Sequence, residues 1–249
     1  MVKKDTIIAL VSVGIVVGSV VAFYQFARNR ERRDFAVRIA AVTPRGGTPQ
    51  TIEDLVTAIA FYEDRIERHL HDAARTAAYW KILGVRLADR GMHRDAVYAF
   101  EQAIHLNAYD PTLFFLLGES ASVVAASSFD FPGGPVGQRY EYFALAEAAF
   151  LRAIDMDVTY GRPRFSLGVM YAFDLDRPED AIAQLERFLQ ISPRDVAGMF
   201  VLARAYIMTE RFAPAIELYE RIMSMSRDAS VRAEAEANMS FLLDMMWHD

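Results

Sequence analysis

The side chains able to do chemistry in this chain of 249 residues are few, and their spacing does not suit them to it. The histidines are His69, His71, His93, His105 and His248. His69 and His71 stand two apart, so on a helix they diverge by about 200° and cannot hold one ion from one face. The i,i+4 histidine pairing of a helical zinc site is missing, and His93 falls in a turn. Glu179 and Asp180 follow Pro178 at a helix start, where carboxylates complement the positive end of the helix dipole without any catalytic role. Gly133, Gly134 and Gly137 resemble a phosphate loop only in composition, because no Gly-Lys-Ser/Thr and no strand–helix unit follows. Cysteine is absent, which removes disulfides, thiolate metal sites and cysteine nucleophiles. No nucleophile, base and orienting group can be assembled. These residues predict a protein that is not an enzyme and that carries no metal and no cofactor. The expected chemistry is binding.

Charge narrows the partner. The formal net charge is −6, but residues 1–50 hold eight basic and three acidic residues, leaving 19 basic and 30 acidic ones in 51–249. The body is acidic, so nucleic acid is excluded as its partner, because phosphate binding wants a basic face. Other proteins are the expected partners. The oligomeric state is not set by these features.

Residues 7–26, IIALVSVGIVVGSVVAFYQF, carry no formal charge. A helix of twenty residues spans roughly 30 Å, the thickness of a hydrocarbon core, and Tyr24 sits near one end, where an amphipathic ring favours the interface. A signal peptide has a shorter apolar core, about 7–15 residues. The nearest small-residue site, Val20-Val21-Ala22, lies inside the run. A retained transmembrane helix is therefore expected, behind a short tail at 1–6. Lys3 and Lys4 flank it on one side and Arg28, Arg30, Arg32, Arg33 and Arg38 on the other. By the positive-inside rule the C-terminal body is cytoplasmic. The pattern fits a bacterial inner membrane, and the alternative is a periplasmic body. Residues 27–50 form a basic juxtamembrane segment ending in the turn-rich TPRGGTPQ.

The elements behind this segment are set by a repeat. Trp80, Leu83, Gly84, Ala96, Phe100 and Ala103 form one set, and Leu117 and Gly118 open the next, with Gly84 and Gly118 separated by 34 residues. Ala181 to Ala215 and Leu185 to Tyr219 are also steps of 34. A period of that size marks stacked helix–turn–helix units. The unit at 77–110 resembles the tetratricopeptide repeat, whose pattern is W-x2-L-G-x2-Y followed by Ala, Phe and Ala in a second helix. Leu87 stands where the pattern has tyrosine. The resemblance implies an all-α solenoid of about four repeats over 77–228, a module that binds rather than catalyses.

The rhythm breaks twice. Ala146, Phe150 and Ala153 come fifty residues after Ala96, Phe100 and Ala103, while Gly118 is on time. Sixteen extra residues therefore lie between the two helices of the second repeat, an insertion at about 124–141 expected to project from the solenoid. In the third repeat Leu167, Gly168 and Tyr171 match, and Ala181 falls one residue late. In the fourth, Leu202, Ala203, Tyr206, Ala215 and Tyr219 match, with Pro214 in the first turn of the second helix. A helix over 51–76, with a stripe of Ile52, Leu55, Val56, Ile59, Tyr62, Ile66 and Leu70, is expected to pack in front of the first repeat. A C-terminal helix within 229–249 caps the other end, with Val231, Ala235, Leu242 and Met246 on one side. Met223, Met225, Met239, Met245 and Met246 read as core and cap filler.

In the family that the repeats resemble, the first helices line a concave groove. Carried over by position, that implies partner contacts from Lys81, Phe115, Phe165 and Phe200 five residues into each repeat. It adds Glu119, Val169 and Arg204 nine residues in, and Phe173 and Met208 thirteen in. The groove is apolar and aromatic in its later repeats. Lys81 has no companions at Thr112, Leu116 or Glu119 that would complete a carboxylate clamp. A helical or extended apolar segment of another protein is therefore the expected occupant. The implied role is a membrane-anchored scaffold in the assembly or organisation of a membrane or envelope complex. The alternative is a transporter-accessory or ligand-binding repeat protein on the extracytoplasmic side.

Overall fold

The computed structural model describes residues 51–128 and 137–248, and every regular element among them is helical. In chain order they are α1 Ile52–Asp89, α2 His93–Leu106, α3 Pro111–Ser127, α4 Gln138–Met156, α5 Gly161–Phe173, α6 Pro178–Ile191, α7 Val196–Met208, α8 Phe212–Met225 and α9 Ala229–His248. The expected membrane segment 7–26 and the juxtamembrane stretch 27–50 lie outside the described residues. None of the described helices is long and apolar enough to cross a membrane. The chain divides into two compact units, Met1–His71 and Asp72–Asp249.

In the second unit the architecture is a tetratricopeptide-like solenoid. Each helix from α2 onward packs on the next, and the first helices of successive repeats also touch, α3 on α5 and α5 on α7. The 34-residue rhythm has a steric cause. A Cβ on Gly84 would lie 2.5 Å from the Phe100 ring, one on Gly118 2.6 Å from the Phe150 ring, and one on Gly168 2.6 Å from Leu185. In each repeat a missing side chain on the first helix admits a large one from the second. The fourth repeat uses buried Ala203 with Tyr219 instead. Interiors packed to crystal-like density tolerate no drift in such pairs, so the spacing recurs.

The late arrival of Phe150 is divided three ways. The first helices start seven residues before the small residue in each case: Pro111 before Gly118, Gly161 before Gly168, Val196 before Ala203. Helix α3 has 17 residues where α5 and α7 have 13, so four of the extra residues extend its C-terminus, 124–127. Helix α4 has 19 where α2, α6 and α8 have 14, so five extend its N-terminus, 138–142. The remaining seven lie in the connection. The helices of this pair are thus longer by roughly 6 and 7.5 Å, a little more than one turn each. The extension is packed: Val124 and Ala125 are buried, Arg94 donates to Gln138 Oε1 at 2.9 Å, and its guanidinium lies 5.5 Å from the Tyr142 ring centre.

Two expectations are corrected. Residues 51–76 do not form a separate packing helix, because α1 runs unbroken from Ile52 to Asp89 and supplies the first helix of the first repeat. No glycine or proline interrupts 51–83, and Ala73, Ala74, Ala77 and Ala78 favour continuation. The stripe from Ile52 to Leu70 is exposed rather than packed. His93 is the first residue of α2, not a turn residue. At the C-terminus α9 packs on α8 through Ala235 and Leu242, with Val231, Met239 and Met245 half-buried, while Met246 is exposed.

The turn before each second helix needs a left-handed residue. Gly91 supplies it at φ 75°, two residues before α2. The equivalent places before α6 and α8 are taken by Asp176 at φ 51° and Glu210 at φ 58°. The backbone that follows closes on the same tyrosine position in the last two repeats, Arg177 N–H donating to Tyr171 O across six residues and Arg211 N–H to Tyr206 O across five, both at 2.8 Å.

Candidate functional site

The groove residues fall on one stripe of each first helix. With the small residue that meets the second helix taken as origin, the residue three earlier lies at about 60°, the next one at about 100° and the fifth at about 140°. In the second repeat burial follows that order, from buried Phe115 through half-buried Glu119 to exposed Val123. Phe115, on the inner edge, is 2 % exposed, whereas Phe173, on the outer edge, is 59 % exposed. Phe165 and Phe200 are half-buried on the inner edge, Val169 and Glu119 half-buried in the middle, and Arg204 exposed there. Val123 is exposed and Met208 half-buried on the outer edge.

Phe115 is therefore a core residue and not a partner contact. Its ring centre lies 6.2 Å from Phe150 and 5.5 Å from Tyr160, and the Arg162 guanidinium sits 4.6 Å over it. Phe165 and Phe200 divide their surface between packing and the groove, with Phe188 at 5.3 Å and Tyr219 at 6.1 Å respectively. The open apolar row is formed by Val123, Val169, Phe173 and Met208, with the inner phenylalanines as its floor.

Lys81 is engaged rather than available. Its Nζ lies 2.8 Å from Asp110 Oδ2. Asp110 is also the N-cap of α3, accepting from Thr112 N–H at 2.9 Å. Burial opposes ionisation of this carboxyl, but the Lys81 hydrogen bond and the Thr112 amide outweigh it and hold the group below its ordinary value. One side chain thus terminates a helix and ties the first repeat to the second. Tyr160 and Arg162, which cover Phe115, were not marked by the sequence, since neither holds a position fixed by the 34-residue rhythm.

Polar ties join successive repeats. Tyr171 donates to Glu147 Oε1 at 2.6 Å, and Arg177 joins Glu147 at 3.0 Å and Asp180 at 2.6 Å. Tyr206 donates to Glu186 Oε1 at 2.6 Å, and Arg211 pairs with Glu179 at 2.8 Å. Burial and the Glu186 hydrogen bond push the Tyr206 phenol up to about 12; burial and Glu147 raise that of Tyr171 further. Both phenols remain donors at neutral pH. Glu179 and Asp180 thus sit in the first turn of α6 as expected, where each also meets an arginine. Among the described residues no cluster of three His, Cys, Asp or Glu side chains could hold a metal ion.

Residues 172–237 match the family model described as tetratricopeptide repeat. No curated protein sequence matched the chain. A crystal structure of MamA superposes with a TM-score of 0.50 at 16% identity, covering 77% of this chain and 98% of that one. A MamA RS-1 double mutant gives 0.52 at 15% identity, covering 70% and 98%. The first TPR of Spaghetti (RPAP3), solved bound to an HSP90 peptide, gives 0.45 at 18% identity, covering 55% and 95%. At these identities the likeness concerns the fold. The family match covers residues 172–237 alone, and the solenoid that contains them has the same repeat geometry throughout.

Proposed function

We propose that this protein is a scaffold for protein–protein interaction that takes an apolar segment of its partner along Val123, Val169, Phe173 and Met208. The carrying observation is the 59 % exposure of Phe173, which stands between Val123 and Met208 at the same position of successive repeats, with Val169 one turn before it. A contiguous apolar row left open on ordered helices is the kind of surface that takes a partner. Arg204 and Glu119 stand in the same stripe as isolated charges and orient the segment. The helices present their sides to the groove, which suits an amphipathic helix or an extended strand with spaced apolar anchors.

The scaffold acts at a membrane in this reading. Support comes from the uncharged run 7–26 and the arginine cluster that follows it, which favours a cytoplasmic body. The role is the assembly or organisation of a membrane or envelope complex.

The test is crosslinking in intact cells from a photoreactive residue at 173, compared with one at Arg152, an exposed residue of α4. Position 173 is expected to capture a defined partner that position 152 does not, and Met208→Ser is expected to weaken that capture severalfold. Equal capture from both positions, or capture indifferent to Met208→Ser, would remove the groove from the account. A C-terminal reporter active only outside the cytoplasm would reverse the orientation.

A further inference from the structure

The leading part of α1 carries a second apolar surface, and its spacing differs from that of the repeats. Ile52, Leu55, Ile59, Tyr62 and Ile66 recur at alternating steps of three and four residues, a mean period of 3.5. All five are exposed, from 41 % at Leu55 to 76 % at Ile52. Val56 and Leu70, also exposed, widen the stripe on one side, and the 3.5 repeat within it is the seam by which a helix winds around another of the same kind.

We infer that residues 52–70 pair in parallel with the same segment of a second copy of this chain. In heptad terms Ile52, Ile59 and Ile66 occupy the a positions and Leu55, Tyr62 and His69 the d positions. β-Branched residues at every a position, with leucine at the first d, favour two parallel strands. The charges agree with self-pairing. Glu53 and Glu67 fall at b, Asp64 at f and Arg68 at c, all on the outer side of the helix. The seam is flanked at e and g by Val56, Ala58, Glu63, Arg65 and Leu70. In a parallel pair the g residue of one heptad faces the e residue of the partner's next heptad. Ala58 then faces Glu63, and Arg65 faces Leu70, so no like charges meet across the seam although the segment is acidic overall. The groove plays no part in this pairing.

The absence of cysteine makes the inference directly testable in the full-length chain. Ile59→Cys places a sole thiol at an a position, where two parallel copies bring it against itself; Thr57→Cys places it at f, on the far side. Mild oxidation in the expressing cells is expected to give a disulfide-linked dimer with Ile59→Cys and at least ~10-fold less with Thr57→Cys. Sedimentation of the detergent-solubilised chain is expected to show concentration-dependent dimerisation. Ile59→Asp is expected to weaken it by ~100-fold or more, and Phe173→Ser to leave it unchanged. Ile59 is exposed, so retention of helical circular dichroism distinguishes lost pairing from lost folding. A chain that stays monomeric, a dimer indifferent to Ile59→Asp, equal cross-linking from 57 and 59, or cross-linking of the Ile59→Cys variant to a different protein would each overturn the inference.

Discussion

Residues 52–70 and the repeats that follow are both helical and both striped with large apolar side chains, yet only the repeats bury theirs. In the first three repeats a large side chain of the second helix is answered by a glycine of the first: Phe100 by Gly84, Phe150 by Gly118, Leu185 by Gly168. The leading stretch of α1 has five large seam residues and no glycine, and those residues stay exposed. The difference shows that apolar content does not by itself produce burial. Close approach of two helices needs complementary volumes at matched positions, and the 34-residue rhythm exists to keep them matched.

The sharpest test of this contrast is a pair of truncations. Phe150→Ala removes a fully buried ring and is expected to cost about 3–5 kcal/mol. Ile59→Ala on the open stripe is expected to change the stability of the isolated protomer by no more than about 0.5 kcal/mol. Urea midpoints at a protein concentration too low for self-association would compare them. Similar losses at the two positions would show that the stripe is part of the folded core.

Filling a gap is expected to do less than emptying one. Gly118→Ala puts a methyl group 2.6 Å from the Phe150 ring and should destabilise the body by about 1–3 kcal/mol, partly offset by the better helix propensity of alanine. Thermal melts of this variant beside Gly118→Ala/Phe150→Leu would sharpen the contrast, because a smaller partner should recover part of the loss. No recovery would mean that the glycine serves the helix backbone rather than the ring.

The smallest expected effect is electrostatic and lies where the first repeat meets the second. The Asp110 carboxyl is held below its ordinary value, so its ion pair with Lys81 stabilises the fold above the unfolded value and is lost as pH falls through the folded one. Asp110→Asn keeps a capping side chain but removes the charge, at a cost of roughly 0.5–1 kcal/mol at neutral pH. That gap should shrink as pH drops below about 4 and vanish at lower pH, where both chains carry a neutral group. A gap that persisted in acid would assign the effect to cap geometry and not to the pair.

Much of the fold was legible because its logic is periodic. The small residues at 84, 118, 168 and 203 and their large partners could be aligned by counting, and the two failures of the count located the long pair α3–α4 and the one-residue delay before α6. The candidate groove was less legible. Position within a repeat identified the stripe, but not which members of it were open. Phe115 looks equivalent to Phe165 and Phe200, yet Tyr160 and Arg162 of the next repeat close over it. Lys81 looked available until Asp110, 29 residues on, came within 2.8 Å. Such covers and pairings depend on side chains outside the repeat pattern, so counting cannot find them.

The sequence by itself determined the all-α repeat architecture, its register and the place where that register slips, because each follows from local propensity and from spacing along one chain. The tertiary structure decided what is surface and what is core. It carried α1 through residue 77 without a break, turned nine of the sixteen inserted residues into helix, sank Phe115 and left Phe173 open. Those outcomes depend on volumes and charges contributed by neighbouring repeats, and a linear pattern does not contain them until the helices are stacked.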